Sequence, residues 1–203
     1  MKDYQKRPLS DRMDYLFRVI SSKDFLNLKG ETKETSNYIC PFFPKEAEAF
    51  SAETMRLIKR LRTSGIEVCL IDLYDLCKQI LEEEGAWDPI LENESDWDKE
   101  ELLGMLKGML DPKKVLAPRI EAEAAKTEHQ VIFITGSGAV FPYVRTHNLI
   151  ESLGSHNRKN EPVVVFFPGD YIDTHATGLS LELFNMFPND RYYRAHNIYN
   201  YME

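Results

Sequence analysis

No stretch of this chain approaches the ~20 consecutive apolar residues that a membrane-crossing helix needs. The opening MKDYQKRPLSDRMDYLF also lacks the apolar core of a secretory signal. The expected location is the cytoplasm. Cysteine is scarce: Cys40, Cys69 and Cys77 are odd in number, and no two stand at CxxC spacing. They read as buried, reduced thiols, with no metal or redox role. The histidines, at 129, 147, 156, 175 and 196, are scattered, and no HExxH is present. No zinc site follows from such spacing. Basic stripes are missing too, which argues against direct nucleic-acid binding.

What is present is a 203-residue chain of 43% hydrophobic and 29% charged residues. That suits one soluble globular domain with a sizeable core, spanning 1–203. The net charge of −8 is unevenly spread. Glu82 to Glu101 holds ten acids against one lysine, so the rest of the chain is close to neutral. Such a run is either a solvated face or a docking patch for a basic partner.

Apolar periodicity supplies the elements. Met13, Leu16, Phe17 and Ile20 fit an opening helix from about Ser10. Asn37 to Phe43 reads as a strand. Ser51 is the expected N-cap of a helix with Met55, Ile58 and Leu61 on one face and Gly65 at its end. Ile66 to Leu73 is the next strand, and the β-α-β unit implies a parallel pair. A short helix carries Leu76, Ile80 and Leu81. An acidic helical excursion at about 82–126 follows, with helices through Leu102 to Leu110 and about Pro118 to Lys126. Gln130 to Thr135 and Pro162 to Phe167 are further buried strands. Between them Pro142 suits the start of a helix ending at Gly154. Pro168-Gly169 is expected to turn, with a positive φ at Gly169. A short apolar helix over Leu179 to Phe187 and a fifth strand over Tyr192 to Tyr199 complete the pattern. The expected fold is α/β: a three-layer sandwich with a mainly parallel central sheet of four to five strands, helices on both faces and an extra N-terminal helix.

In such a sheet, ligands bind beyond the C-terminal strand ends. Asp72 closes the VCLID run there, as a metal-holding acid or as a residue of a solvated turn. Gly136, Ser137 and Gly138 follow the QVIFIT strand, where backbone N–H groups could cradle an anion, with Arg145 nearby on the following helix. The loop lacks the Gly-Lys-Ser/Thr of a Walker sequence, and Phe141 stands where a dinucleotide fingerprint needs its third glycine. A tight turn is the alternative. Ser137 is not in a GxSxG elbow. Asp170 and Asp173 could form a carboxylate pair or cap their own loop. Tyr192, Tyr193, Arg194, Tyr199 and Tyr201 form an aromatic end suited to a partner surface or to edge-strand packing.

Two segments carry a family likeness. TGSGAVFPYVRTHNLIESL in the middle and FPGDY, LELFNMF and YYRAHNIYNY at the end closely resemble the BrxB family, a small component of bacterial BREX phage-defence systems. The first hundred residues resemble it in layout alone. Asn185 stands where a glycine after Leu-Phe is expected, and His196 where an aromatic is usual. The resemblance implies a non-catalytic subunit of an assembly that contains a DNA methyltransferase, a large ATPase and PglZ, an alkaline-phosphatase-like protein. It brings no catalytic residues and no cofactor. The expected role is an adaptor that binds PglZ or other BREX subunits, with no membrane contact. The rival expectation is an enzyme or a nucleotide- or anion-binding switch built on Asp72, the Gly-Ser-Gly turn and Arg145.

Overall fold

The computed structural model describes residues 4–28, 35–156, 161–174, 178–188 and 195–201. Helix α1 (Leu9–Ile20) is followed by one turn of helix, α2 (Lys23–Leu26), then β1 (Asn37–Phe42), α3 (Ala47–Thr63) and β2 (Val68–Asp72). Four helices come next: α4 (Leu73–Glu83), α5 (Trp87–Asn93), α6 (Lys99–Met109) and α7 (Ala117–Ala124). The chain continues through β3 (Val131–Thr135), α8 (Thr146–His156), β4 (Val163–Thr174), β5 (Gly178–Leu183), β6 (Phe187–Pro188) and β7 (His196–Asn197).

The sheet runs in the order β2-β3-β4-β1-β7, and each neighbouring pair on that path is parallel. Successive side chains of a strand point to opposite faces. Tyr38, Cys40, Phe133, Val164 and Phe166 therefore meet α1 and α3 on one face. Ile39, Ile134, Val165 and Phe167 meet α4, α7 and α8 on the other. These are the three layers and parallel sheet expected, with α1 as the extra N-terminal helix.

Several local expectations need correction. β1 and β2 run in the same direction but are not neighbours; β4 and β7 flank β1, while β2 pairs with β3. Hydrophobic period reports burial and not which strands adjoin. Helix α3 starts at Ala47, because a 3-10 turn at Pro44–Glu46 runs straight into it. Ser51 lies inside the helix, and Met55 is exposed while Phe50, Thr54, Leu57, Ile58 and Leu61 are buried. Pro142 starts no helix: residues 137–144 form turns, Phe141–Pro142 is cis, and α8 opens at Thr146 and runs past Gly154.

The largest departure lies after Phe167. Pro168 and Gly169 do not turn but continue β4, which leaves the parallel sheet and pairs antiparallel with β5 from Gly169↔Leu183 to Thr174↔Gly178. The segment expected to be helical is β5, and its Leu179, Leu181, Leu183 spacing has the period of a strand. Phe184 and Asn185 turn the hairpin with φ of 55° and 56°. Asn tolerates that left-handed conformation better than most residues, which accounts for its standing where glycine is expected. The fifth parallel strand is the two-residue β7. Tyr192, Tyr193 and Arg194 lie outside the described residues.

Candidate functional site

The chain leaves β1 through α3 toward one face and leaves β2 and β3 toward the other. The diverging connections open a crevice above the strand ends, as in other doubly wound sheets. That crevice is a cleft of about 360 Å³. Asp72, Thr135 and the Gly136–Gly138 turn form one side, and Pro44, Ala47, Phe50 and Thr54 the other. Phe166, Pro168 and Phe184 complete it.

Asp72 caps α4. Its Oδ1 accepts from the backbone N–H of Tyr74 at 2.9 Å and of Asp75 at 3.3 Å. Its Oδ2 accepts from the Thr135 hydroxyl at 2.8 Å, tying the ends of β2 and β3 together. Gly136 has φ +74°, and a Cβ there would lie 2.7 Å from Asp72 Oδ1. A Cβ on Gly138 would lie 2.7 Å from Pro168 Cγ and 3.0 Å from the Phe184 ring. The buried Ser137 donates its hydroxyl to the Phe166 carbonyl at 2.8 Å. The Gly-Ser-Gly sequence is thus accounted for by close packing within the chain.

Arg145 is not in the helix. It directly precedes α8, its carbonyl accepting from Leu149 N at 3.2 Å. Its exposed side chain rests 6.0 Å from the Phe141 ring centroid and does not line the cleft. Of the expected Asp170–Asp173 pair, the Asp173 side chain lies outside the described residues. Asp170 accepts from Gln5 at 2.9 Å and from Asn185. Among the described residues, no three of His, Cys, Asp and Glu converge as a metal-holding group.

The aromatic end divides. Tyr199 is 5% exposed, packs against Tyr15 at 6.1 Å and accepts from the Cys40 thiol at 3.5 Å. Burial, then the neighbouring Cys40, push its phenol well above the usual tyrosine range. Tyr199 is therefore a core residue and no surface anchor. Tyr201 is half-buried against Phe25 and Tyr38.

Arg12 was silent in the sequence. It is 1% exposed and forms a two-pronged ion pair with Glu46, both bonds 2.7 Å. Burial alone would lower its pKa, but the Glu46 hydrogen bond, together with Tyr199 and the Glu46 charge, outweighs that and raises it. Glu46 also accepts from Phe43 N at 3.0 Å, so the pair clamps α1 to the loop beside the cleft. The aromatic wall residues Phe42, Phe50, Phe166 and Phe184 were not singled out either, because ring residues in strands and helices look like core. Their only signal is position at strand ends and loop entries.

The acidic excursion expected over about 82–126 stands clear of the core only in part: Ile90, Leu110, Leu116, Ala117, Ile120 and Ala124 are buried in the core. Residues 91–101 are all exposed, including Leu91 at 56% and Trp97 at 36%. Trp87 anchors its start against Tyr74, ring centroids 6.4 Å apart.

A parallel α/β sandwich with an open strand-end cleft and an acidic helical appendage is the class these features define. Within that class the chain belongs to the BrxB family: the family model described as BREX protein BrxB matches residues 69–198. It is 29% identical over 193 residues to the BREX protein BrxB of Bacillus cereus (strain H3081.97), covering 93% of this chain and 96% of that one. It is 24% identical over 187 residues to the BREX protein BrxB of Escherichia coli O9:H4 (strain HS), covering 92% and 90%. No solved structure matches it. No helix among the described residues is long and apolar enough to cross a membrane.

Proposed function

We propose that this chain is a component of a BREX phage-defence assembly and serves there as a non-catalytic adaptor, binding other subunits, PglZ first among them. Family membership supports the assembly. The observation that carries the adaptor role is the surface of residues 91–101. It stands clear of the core and presents Leu91 and Trp97 among carboxylates. Exposed aromatic and aliphatic anchors give affinity once buried by a partner, and surrounding charge orients the encounter. The test is calorimetry of the purified chain with PglZ and with each other protein of its locus. Binding that Trp97→Ala weakens supports the reading; no binding to any of them sinks it.

The strand-end position of the cleft favours a second reading, a nucleotide- or anion-binding switch. Turnover of ATP that Asp72→Ala abolishes would establish it in place of the adaptor.

A further inference from the structure

We propose that the strand-end cleft is a receptor for an arginine side chain presented by a protein partner; this rests on the adaptor reading and assigns the cleft a part in it. Charge complementarity is the first argument. Asp72 is the sole formally charged side chain among the described residues lining the cleft, and no lysine, arginine or histidine faces it there. A phosphate would find no counter-charge, whereas a cation would.

The walls supply the second argument. Phe42 and Phe184 are the partly exposed rings of the lining, and Phe42 is backed by the buried Phe50 at 4.3 Å and 12°. A guanidinium is planar and weakly hydrated, and it stacks on aromatic faces while its fork reaches a carboxylate. Asp72 is already fixed in position by its cap bonds and by Thr135. Three donors fix it, which leaves room on a carboxylate able to accept about four hydrogen bonds. Gly136 is what allows the carboxylate to lie against the turn, since any side chain there would displace it.

Size and surroundings agree. A volume of about 360 Å³ is near the lower end of the roughly 300–1,000 Å³ of ligand pockets, which suits one long side chain. Trp87, packed on Tyr74 two residues beyond Asp72, starts the acidic segment alongside the same helix. A basic segment approaching the cleft therefore meets an attractive field.

The test is an amide NMR titration of the full chain with N-acetyl-arginine methylamide, with the citrulline analogue and inorganic phosphate as comparisons. The arginine probe is expected to shift the signals of residues 135–138 and of Phe50 and Thr54; the neutral analogue and phosphate are not. Asp72→Asn keeps the helix cap and should weaken the probe's binding about tenfold, the loss of one charge-assisted contact. Ala47→Lys, on the exposed rim, should do the same by adding like charge. Equal shifts with citrulline, phosphate acting on the same signals, or no shift at the cleft with arginine would each overturn the proposal. Calorimetry of wild-type chain with the locus proteins keeps the two readings apart. Binding there with no arginine response would leave the adaptor standing and the cleft without this part in it.

Discussion

At Gly169 a single missing Cβ governs the path of the chain. β4 passes there from parallel pairing with β1 to antiparallel pairing with β5, at φ +156°. A Cβ would drive into the carbonyl oxygen of Glu182 on the facing strand. Gly169→Ala is expected to cost about 2 kcal/mol or more, read as a fall in the urea midpoint. An unchanged midpoint would mean that the two strands do not approach so closely. The positive φ was legible from Pro-Gly after a buried run; the turn was not, because a strand that changes partners has the same local sequence as one that ends. The three cysteines are free and buried, as read from the sequence. Burial pushes the thiols of Cys40 and Cys77 from 9.0 up to about 12. Below pH 9 both states hold the proton and stability is untouched. Between about 9 and 12 the unfolded chain ionises while the folded one resists, so stability should fall as pH rises through that window. Denaturation midpoints measured across it should decline less steeply in Cys40→Ala than in the parent chain.

Among the elements, α1 depends on a contact that no periodicity announces. Arg12 is buried beside Phe50 and paired with Glu46. Arg12→Ala would leave a partly buried carboxylate without its cation, at a cost of about 3 kcal/mol. Loss of the clamp should also loosen the β1–α3 loop, seen as faster amide exchange at Phe43 and Glu46; protection equal to the parent's would refute the clamp. α4 offers a finer comparison. Asp72→Ala should cost about 1 kcal/mol as a lost cap, whereas Asp72→Asn should be near neutral. Helices α1, α4 and α6 were readable because their apolar residues recur at helical spacing. The β5–β6 hairpin was misread as a helix because Leu183, Phe184 and Phe187 also satisfy that spacing. The Leu179 to Leu183 alternation prevails because β4 extends far enough to offer it a partner edge.

For the whole molecule, the uneven charge matters most. Glu82 to Glu101 carries −9 against −8 for the whole chain, and its residues 91–101 are all exposed. Changing Glu92, Glu94, Asp96 and Asp98 to their amides should slow association with a BREX partner at low salt. At high salt the difference should largely vanish, since exposed charges are screened beyond roughly 10 Å at 0.1 M. Stopped-flow association rates across a salt series would measure it; an effect independent of salt would point to direct contacts instead. The strand-end cleft belongs to this scale as well. Asp72 and the Gly136–Gly138 turn were located from the sequence as strand termini, but Phe50 and Phe184 reach the same space from segments far apart in the chain.

The sequence by itself determined the class of fold, the two-sided burial of the strands, the acidic run and the family. Each of these is written in local period, composition or a contiguous motif. Tertiary structure alone decided the strand order, the passage of β4 into a hairpin, the burial of Arg12 and Tyr199, and the joining of five separate segments around one cleft. Those depend on which surfaces meet. Packing chooses among partners of nearly equal local propensity, and the choice rests on contacts between residues a hundred or more positions apart, such as Tyr15 with the backbone of Tyr201.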